Sequence, residues 1–308
     1  MRQKMRRFIP VLFVLFLIGC TNNKATNPSV QAPFYGGYDG LVAEFLPIGT
    51  VAESKKYEVW EDDMFPVSIL VKNKGEYTIP AHEVLFEIKG VARSDFTGID
   101  FETDNPDELE KVSEFNKEGG QDVIDFGNAK YTALVGTFYD ANFYIYFTYP
   151  YETYINIPKV CYKENIKDDT VCKVDETKQA FSSGGPIQVG TVKESYIGKG
   201  KIALEIPIRN VQKGKAKAFK NDDFRPEWDE VNFEVNTPDW ECRSMGDTSV
   251  ARIQHPTTQR SGSDQTVIYC TNKNLEKGAL YTKSFTITLR YYYQDYIAQI
   301  IRIKDNPQ

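Results

Sequence analysis

The sequence predicts an all-β protein carrying two tandem β-sandwiches, and three observations support this. Valine, isoleucine, threonine and aromatic residues are abundant, while long amphipathic helical patterns are absent. Short segments alternate apolar and polar residues between turn residues. Several of these segments also recur in the same order, 142 to 147 positions later.

In the first half, Phe65, Val67, Ile69 and Val71 share one parity, with Pro66, Ser68 and Lys72 on the other. This is the period of a half-buried strand, and Asn73-Lys74-Gly75 ends it in a turn. Glu83 to Lys89 forms the next predicted strand, with Val84, Phe86 and Ile88 inward. An acidic loop is expected from Asp100 to Gly120, then a strand at Val123 to Phe126 and an aromatic strand at Phe143 to Tyr151. Tyr154 to Tyr162 continues as strand, and a hairpin to Cys172 closes the unit.

The second half repeats this plan. Ile202, Leu204, Ile206 and Ile208 alternate and lead into Arg209-Asn210 and Lys213-Gly214. Glu230 to Asn236 repeats Glu83 to Lys89 as E-V-x-F-E-[IV]-[KN], and Val267-Ile268 repeats Val123-Ile124. Phe285 to Ile297 repeats Phe143 to Ile155 as F-x-I-x-[FL]-x-Y-x-Y-x-x-Y-I, at an offset of 142. The identities extend to outward glutamates and spaced tyrosines, which generic alternation does not require, so the chain is read as a tandem duplication.

Each copy holds about seven short strands, the content of a β-sandwich. The expected domains are 40–182 and 186–304, with a boundary near Phe181-Ser182-Ser183-Gly184-Gly185-Pro186. The strand-and-turn elements Val67 to Gly75 and Ile202 to Gly214 resemble those of immunoglobulin-like or CARDB-like modules of archaeal and bacterial surface proteins. That resemblance implies a fold and a cellular location, not a ligand.

At the N-terminus, Arg2, Lys4, Arg6 and Arg7 precede an apolar run from Phe8 to Ile18, interrupted by Pro10. As a helix this run would reach about 16 Å, half a bilayer core, so it reads as an export signal and not a span. Leu17-Ile18-Gly19-Cys20 resembles the lipobox of bacterial and some archaeal lipoproteins. The resemblance implies cleavage after residue 19, lipidation of Cys20 and an anchor on the outer face of a membrane. Residues 20–39, rich in Asn, Thr, Pro, Ser and Gly, read as a flexible spacer.

Without the four signal residues the chain has 33 basic against 43 acidic residues, a net charge of about −10. A nucleic-acid partner, which needs a basic footprint, is not expected. Four cysteines remain in the exported part, Cys161, Cys172, Cys242 and Cys270, and they allow three connectivities. The pairs 161–172 and 242–270 keep each bridge inside one copy and are preferred to a four-cysteine metal site, whose usual paired C-x-x-C spacing is absent. Asp95 and Phe126 stand at the approximate places of Cys242 and Cys270, so the first copy relies there on packing.

Two surface features stand out. Tyr144 and Tyr146 occupy outward positions where the second copy has Thr286 and Thr288, making them a candidate binding surface. The acidic loop offers Asp100, Glu102 and Asp104 as weak cation candidates, but the D-x-[DN]-x-[DN]-G order is missing and a solvated loop is favoured. No metal or other cofactor is expected. No G-x-S-x-G, H-E-x-x-H or P-loop occurs, and His82 and His255 lie in no recognised motif, so catalysis is not expected. The expected function is a lipid-anchored surface binding or adhesion protein whose partner is a glycan or an envelope protein. A structural envelope component or spacer is the alternative, and a surface hydrolase the remote one.

Overall fold

Leu41–Phe45, Met64–Asn73, Gln121–Tyr131 and Phe96–Ile99 hydrogen-bond in that order into a four-stranded antiparallel sheet. The second repeat builds its counterpart from Val192–Gly198, Lys201–Asn210, Gln265–Asn272 and Trp240–Arg243, with Glu176–Lys178 added at one edge. These positions follow from a computed structural model of the chain, which describes residues 32–51, 57–221, 223–255, 264–273 and 275–306. The export signal and Cys20 lie outside the described residues. Among those described, no helix is long and apolar enough to cross a membrane, and Arg93–Asp95 is a single 3-10 turn.

The predicted alternation is borne out. Phe65, Val67, Ile69 and Val71 are buried while Met64 and Pro66 are exposed. In Leu85–Lys89 the buried residues are Phe86 and Ile88, and in Trp228–Val235 they include Val231 and Phe233. Each strand therefore turns one apolar face to a core and the other to solvent.

The two repeats share a third sheet. Phe138–Lys163 and Leu280–Lys304 are two long strands that pair antiparallel from Phe138–Lys304 to Lys163–Leu280. Outside them the sheet continues through Leu85–Lys89 and Glu102–Asp104 on one side, and through Trp228–Val235 and Val250–Gln254 on the other. Tyr57–Trp60 runs parallel to the end of the second long strand. The described residues from Ala32 onward form one compact unit, and the buried side chains of both repeats belong to one continuous cluster.

The register reveals a pseudo-twofold axis. With a repeat offset of 142, only one pair in an antiparallel ladder consists of a residue and its own counterpart, and here it is Pro150 opposite Tyr292. Around this centre Tyr149 faces Tyr293 and Tyr151 faces Tyr291 on the inner side. The four buried rings form a closed circuit with centroid separations of 5.9–6.2 Å. Buried phenols need partners. Tyr149 Oη accepts from Leu41 N at 3.0 Å, Tyr151 Oη donates to Gly184 O at 2.7 Å, Tyr293 Oη donates to Asn210 Oδ1 at 3.1 Å, and Tyr291 Oη pairs with Thr153 Oγ1 at 2.8 Å. Burial holds all four phenols above the usual tyrosine range.

The turns named in the sequence exist to admit these rings. Asn73 accepts from Gly75 N and donates to Tyr77 O, while Asn210 accepts from Gln212 N and donates to Gly214 O. A Cβ on Gly75 would lie inside the envelope of Tyr151 Oη, and one on Gly214 would lie 2.5 Å from Tyr293 Cε1. Glycine is therefore required by close approach.

Three sequence expectations change in detail. The end of the expected spacer is held by the body: Glu76 Oε1 accepts from Tyr35 N at 3.0 Å, Glu76 Oε2 accepts from Gly36 N at 2.9 Å and from Gly184 N at 2.6 Å, and Gln188 donates to Gly37 O. The expected acidic loop contains the strand Glu102–Asp104 and an Ile79–Leu109 bridge, organised by buried Asn105, which accepts from Val84 N and donates to Pro80 O and Asp107 O. At the level of Phe126 stands Asp100, whose N–H donates to Phe126 O, whereas Asp95 lies in the 3-10 turn and accepts from Thr132 N through its carbonyl. A turn inserted before the strand Phe96–Ile99 displaces Asp95 from the place of Cys242.

Candidate functional site

Disulfides close at Cys161–Cys172 and Cys242–Cys270, with S–S distances of 2.03 and 1.99 Å. They fit a chain that folds in an oxidising, extracellular compartment.

The outer face of the shared sheet carries the aromatic candidates. Even-numbered residues of both long strands point outward in this region, because Phe143, Ile145 and Phe147 fill the core side. Tyr144 and Tyr146 are both half-buried on that outer face. Tyr296, which the sequence reading grouped with the shared repeat tyrosines, joins them from the second long strand. It lies directly opposite Tyr146 and stacks on it with centroids 5.2 Å apart and planes inclined by 27°. Tyr144 contacts the same ring at 6.0 Å. Tyr296 is 51% exposed, so the cluster is open to solvent. Its parity, opposite to that of inward Tyr291 and Tyr293, was the available signal for it.

The surroundings are polar. Lys89 Nζ lies 4.9 Å above the Tyr146 ring and 3.1 Å from Glu87 Oε2, which fixes one edge of the cluster. On the other side Gln294 donates to Thr148 Oγ1 at 2.9 Å. The axis-related position is different: Tyr154 takes the place of Tyr296, and Thr288 stands opposite it, buried and accepting from Asn236. Tyr154 donates to Glu152 Oε2 at 2.6 Å, and Arg290 bridges Glu152 and Glu234. The aromatic cluster thus belongs to one end of a symmetric scaffold.

The acidic candidates do not converge on a cation. Glu102 pairs with Arg93, Asp104 with His82 at 3.1 Å, and Asp100 lies beside Phe126. No group of three or more His, Cys, Asp or Glu side chains suited to a metal ion occurs among the described residues.

Each histidine has a carboxylate neighbour. His82 is exposed, at positive φ, beside Asp104. His255 is fixed more tightly: Nε2 lies 3.0 Å from Oδ2 of buried Asp229, and Nδ1 3.2 Å from Pro226 O. The Asp229 hydrogen bond pushes the imidazole pKa up, favouring a cation that donates from both nitrogens. Asp229 also accepts from Asn210 and from Ala216 N, anchoring the turn of the second repeat.

No family model matches the chain, and no curated protein matches it. Among solved structures it is similar to one titled "Biofilm associated protein - B domain", at 7% identity over 89% of this chain and 87% of that chain, with a TM-score of 0.18.

Proposed function

We propose that this protein is a surface-displayed binding module that holds glycan chains on the outer face of its shared sheet. The stack of Tyr146 on Tyr296 carries this reading, because it places an accessible aromatic surface where the axis-related site has a buried threonine. Aromatic faces set among hydrogen-bonding side chains suit pyranose rings, which offer an apolar C–H face and a hydroxyl rim. Lys89, Glu87, Thr148 and Gln294 supply that polar border.

The module is tethered through a lipid on Cys20. The test uses the full chain with Cys20→Ser, screened on an array of neutral and charged glycans beside immobilised envelope proteins. Glycan binding that disappears in Tyr296→Ala supports the reading. Selective binding to envelope proteins, with no glycan retained, refutes it. Membrane fractionation tests the tether: Cys20→Ser should release the protein, and unchanged fractionation would contradict lipid anchoring.

A further inference from the structure

The end of the long-strand ladder farthest from the Tyr144–Tyr146–Tyr296 cluster holds a cleft of about 600 Å³. Its residues come from both repeats: Tyr162 from the first long strand, the turn at Asp239-Trp240, and the segment that carries Lys273, Lys277, Tyr281 and Lys283. This volume lies within the range of small-ligand pockets. Along the strands, Tyr281 and Tyr296 are about 50 Å apart, so the two sites are separate.

The aromatic wall is fixed in place. Tyr281 stacks on Tyr162 with centroids 5.1 Å apart and planes within 9°. Tyr162 Oη in turn accepts from Trp240 Nε1 at 2.9 Å, and Trp240 packs edge-on against buried Phe285. The Tyr162 ring is buried but Tyr281 remains 45% exposed, so a ligand meets a ring already held in position.

The cationic groups are not consumed by the fold. Lys273 lies 3.6 Å from Asp239, but among the described residues Lys277 and Lys283 form no ion pair. The repeat offers a comparison. At the offset of 144 set by Val267-Ile268 the position of Lys273 holds Ala129, and at the offset of 142 set by Phe285 that of Lys283 holds Ala141. The shared architecture therefore does not require lysine there. In a chain with a formal net charge of −6, a cleft in which Lys273, Lys277 and Lys283 outnumber Asp239 and Glu276 beside an exposed ring favours a ligand that is both flat and anionic.

We infer that this cleft binds an acidic saccharide, with a pyranose face on Tyr281 and its anionic group between Lys277 and Lys283. The inference does not rest on the outer-face cluster and stands if that reading fails.

Titration calorimetry of the full chain with Cys20→Ser tests it with three probes: oligogalacturonate for carboxylate, a heparin oligosaccharide for sulfate, and neutral dextran. At least one anionic probe should bind, with affinity falling as salt rises, while dextran does not. Tyr281→Ala should weaken binding about tenfold or more, and Lys277→Ala with Lys283→Ala should weaken it and flatten the salt dependence. The same titrations made in the Tyr296→Ala background, which removes the outer-face site, report this cleft alone. Circular dichroism of each variant separates lost binding from lost folding. Absence of binding by both anionic probes, or binding unchanged by Tyr281→Ala, would overturn the inference.

Discussion

Tyr151 of the first repeat and Tyr291 of the second face each other across the central ladder, fully buried, their rings 5.9 Å apart. Their hydroxyls leave toward different partners, Gly184 O for Tyr151 and Thr153 Oγ1 for Tyr291. One of these partners lies in the connection between the repeats. The tyrosine circuit consequently ties both copies and their linker into one core.

Cooperativity should follow. With a ladder running the full length of both long strands and a single buried cluster, the protein is expected to unfold in one transition, seen alike by circular dichroism and by tryptophan fluorescence. Residues 32–185 and 186–308, produced separately, should be unstable alone and should form a 1:1 complex when mixed. Two independent transitions would show that the shared sheet contributes little.

Gly75 should tolerate no side chain. Alanine there would overlap Tyr151 Oη, the partner of Gly184 O, and overpacking of this kind costs about 1–3 kcal/mol. Chemical denaturation of Gly75→Ala should show that loss. The same substitution at Gly136, where a Cβ meets nothing within 4 Å, should be close to neutral.

Glu194 should make stability depend on pH. Its side chain is buried, with Oε1 accepting from Cys161 N at 2.9 Å and Oε2 2.8 Å from Lys178 Nζ. Desolvation outweighs the lysine and raises its pKa from 4.5 to about 7. A carboxyl raised in the folded state contributes stability that is fully present below 4.5 and is lost as pH rises through about 7. Midpoints of denaturation measured between pH 5 and 8 should therefore fall with pH for the wild type and fall less for Glu194→Gln. Parallel profiles would contradict the assignment.

Much of the fold was legible because alternation is local. Phe65 to Val71 and Ile202 to Ile208 declare their buried faces within a few residues, and the repeat then predicts the second half from the first. The cysteine pairing was legible for a related reason: close spacing keeps each bridge within one copy. What alternation does not encode is which strand edge lies next to which. The pairing of Phe138–Lys163 with Leu280–Lys304 is non-local, and its register centres the tyrosine circuit on Pro150 and Tyr292. The candidate surfaces inherit that limit. Tyr144 and Tyr146 could be singled out by comparing the copies, but Tyr296 completes the cluster only through the inter-repeat register, and the cleft at Tyr281 needs Tyr162 and Trp240 from distant segments.

Glycan recognition by the outer-face tyrosines is open to a direct test. Affinity electrophoresis of the full chain with Cys20→Ser, in native gels cast with neutral xylan, mannan or β-glucan, tests it most directly. At least one polysaccharide should retard the protein, Tyr296→Ala and Tyr146→Ala should each abolish the retardation, and Tyr154→Ala, at the axis-related position, should leave it intact. No retardation in any gel, or retardation that persists in Tyr296→Ala, would contradict the account.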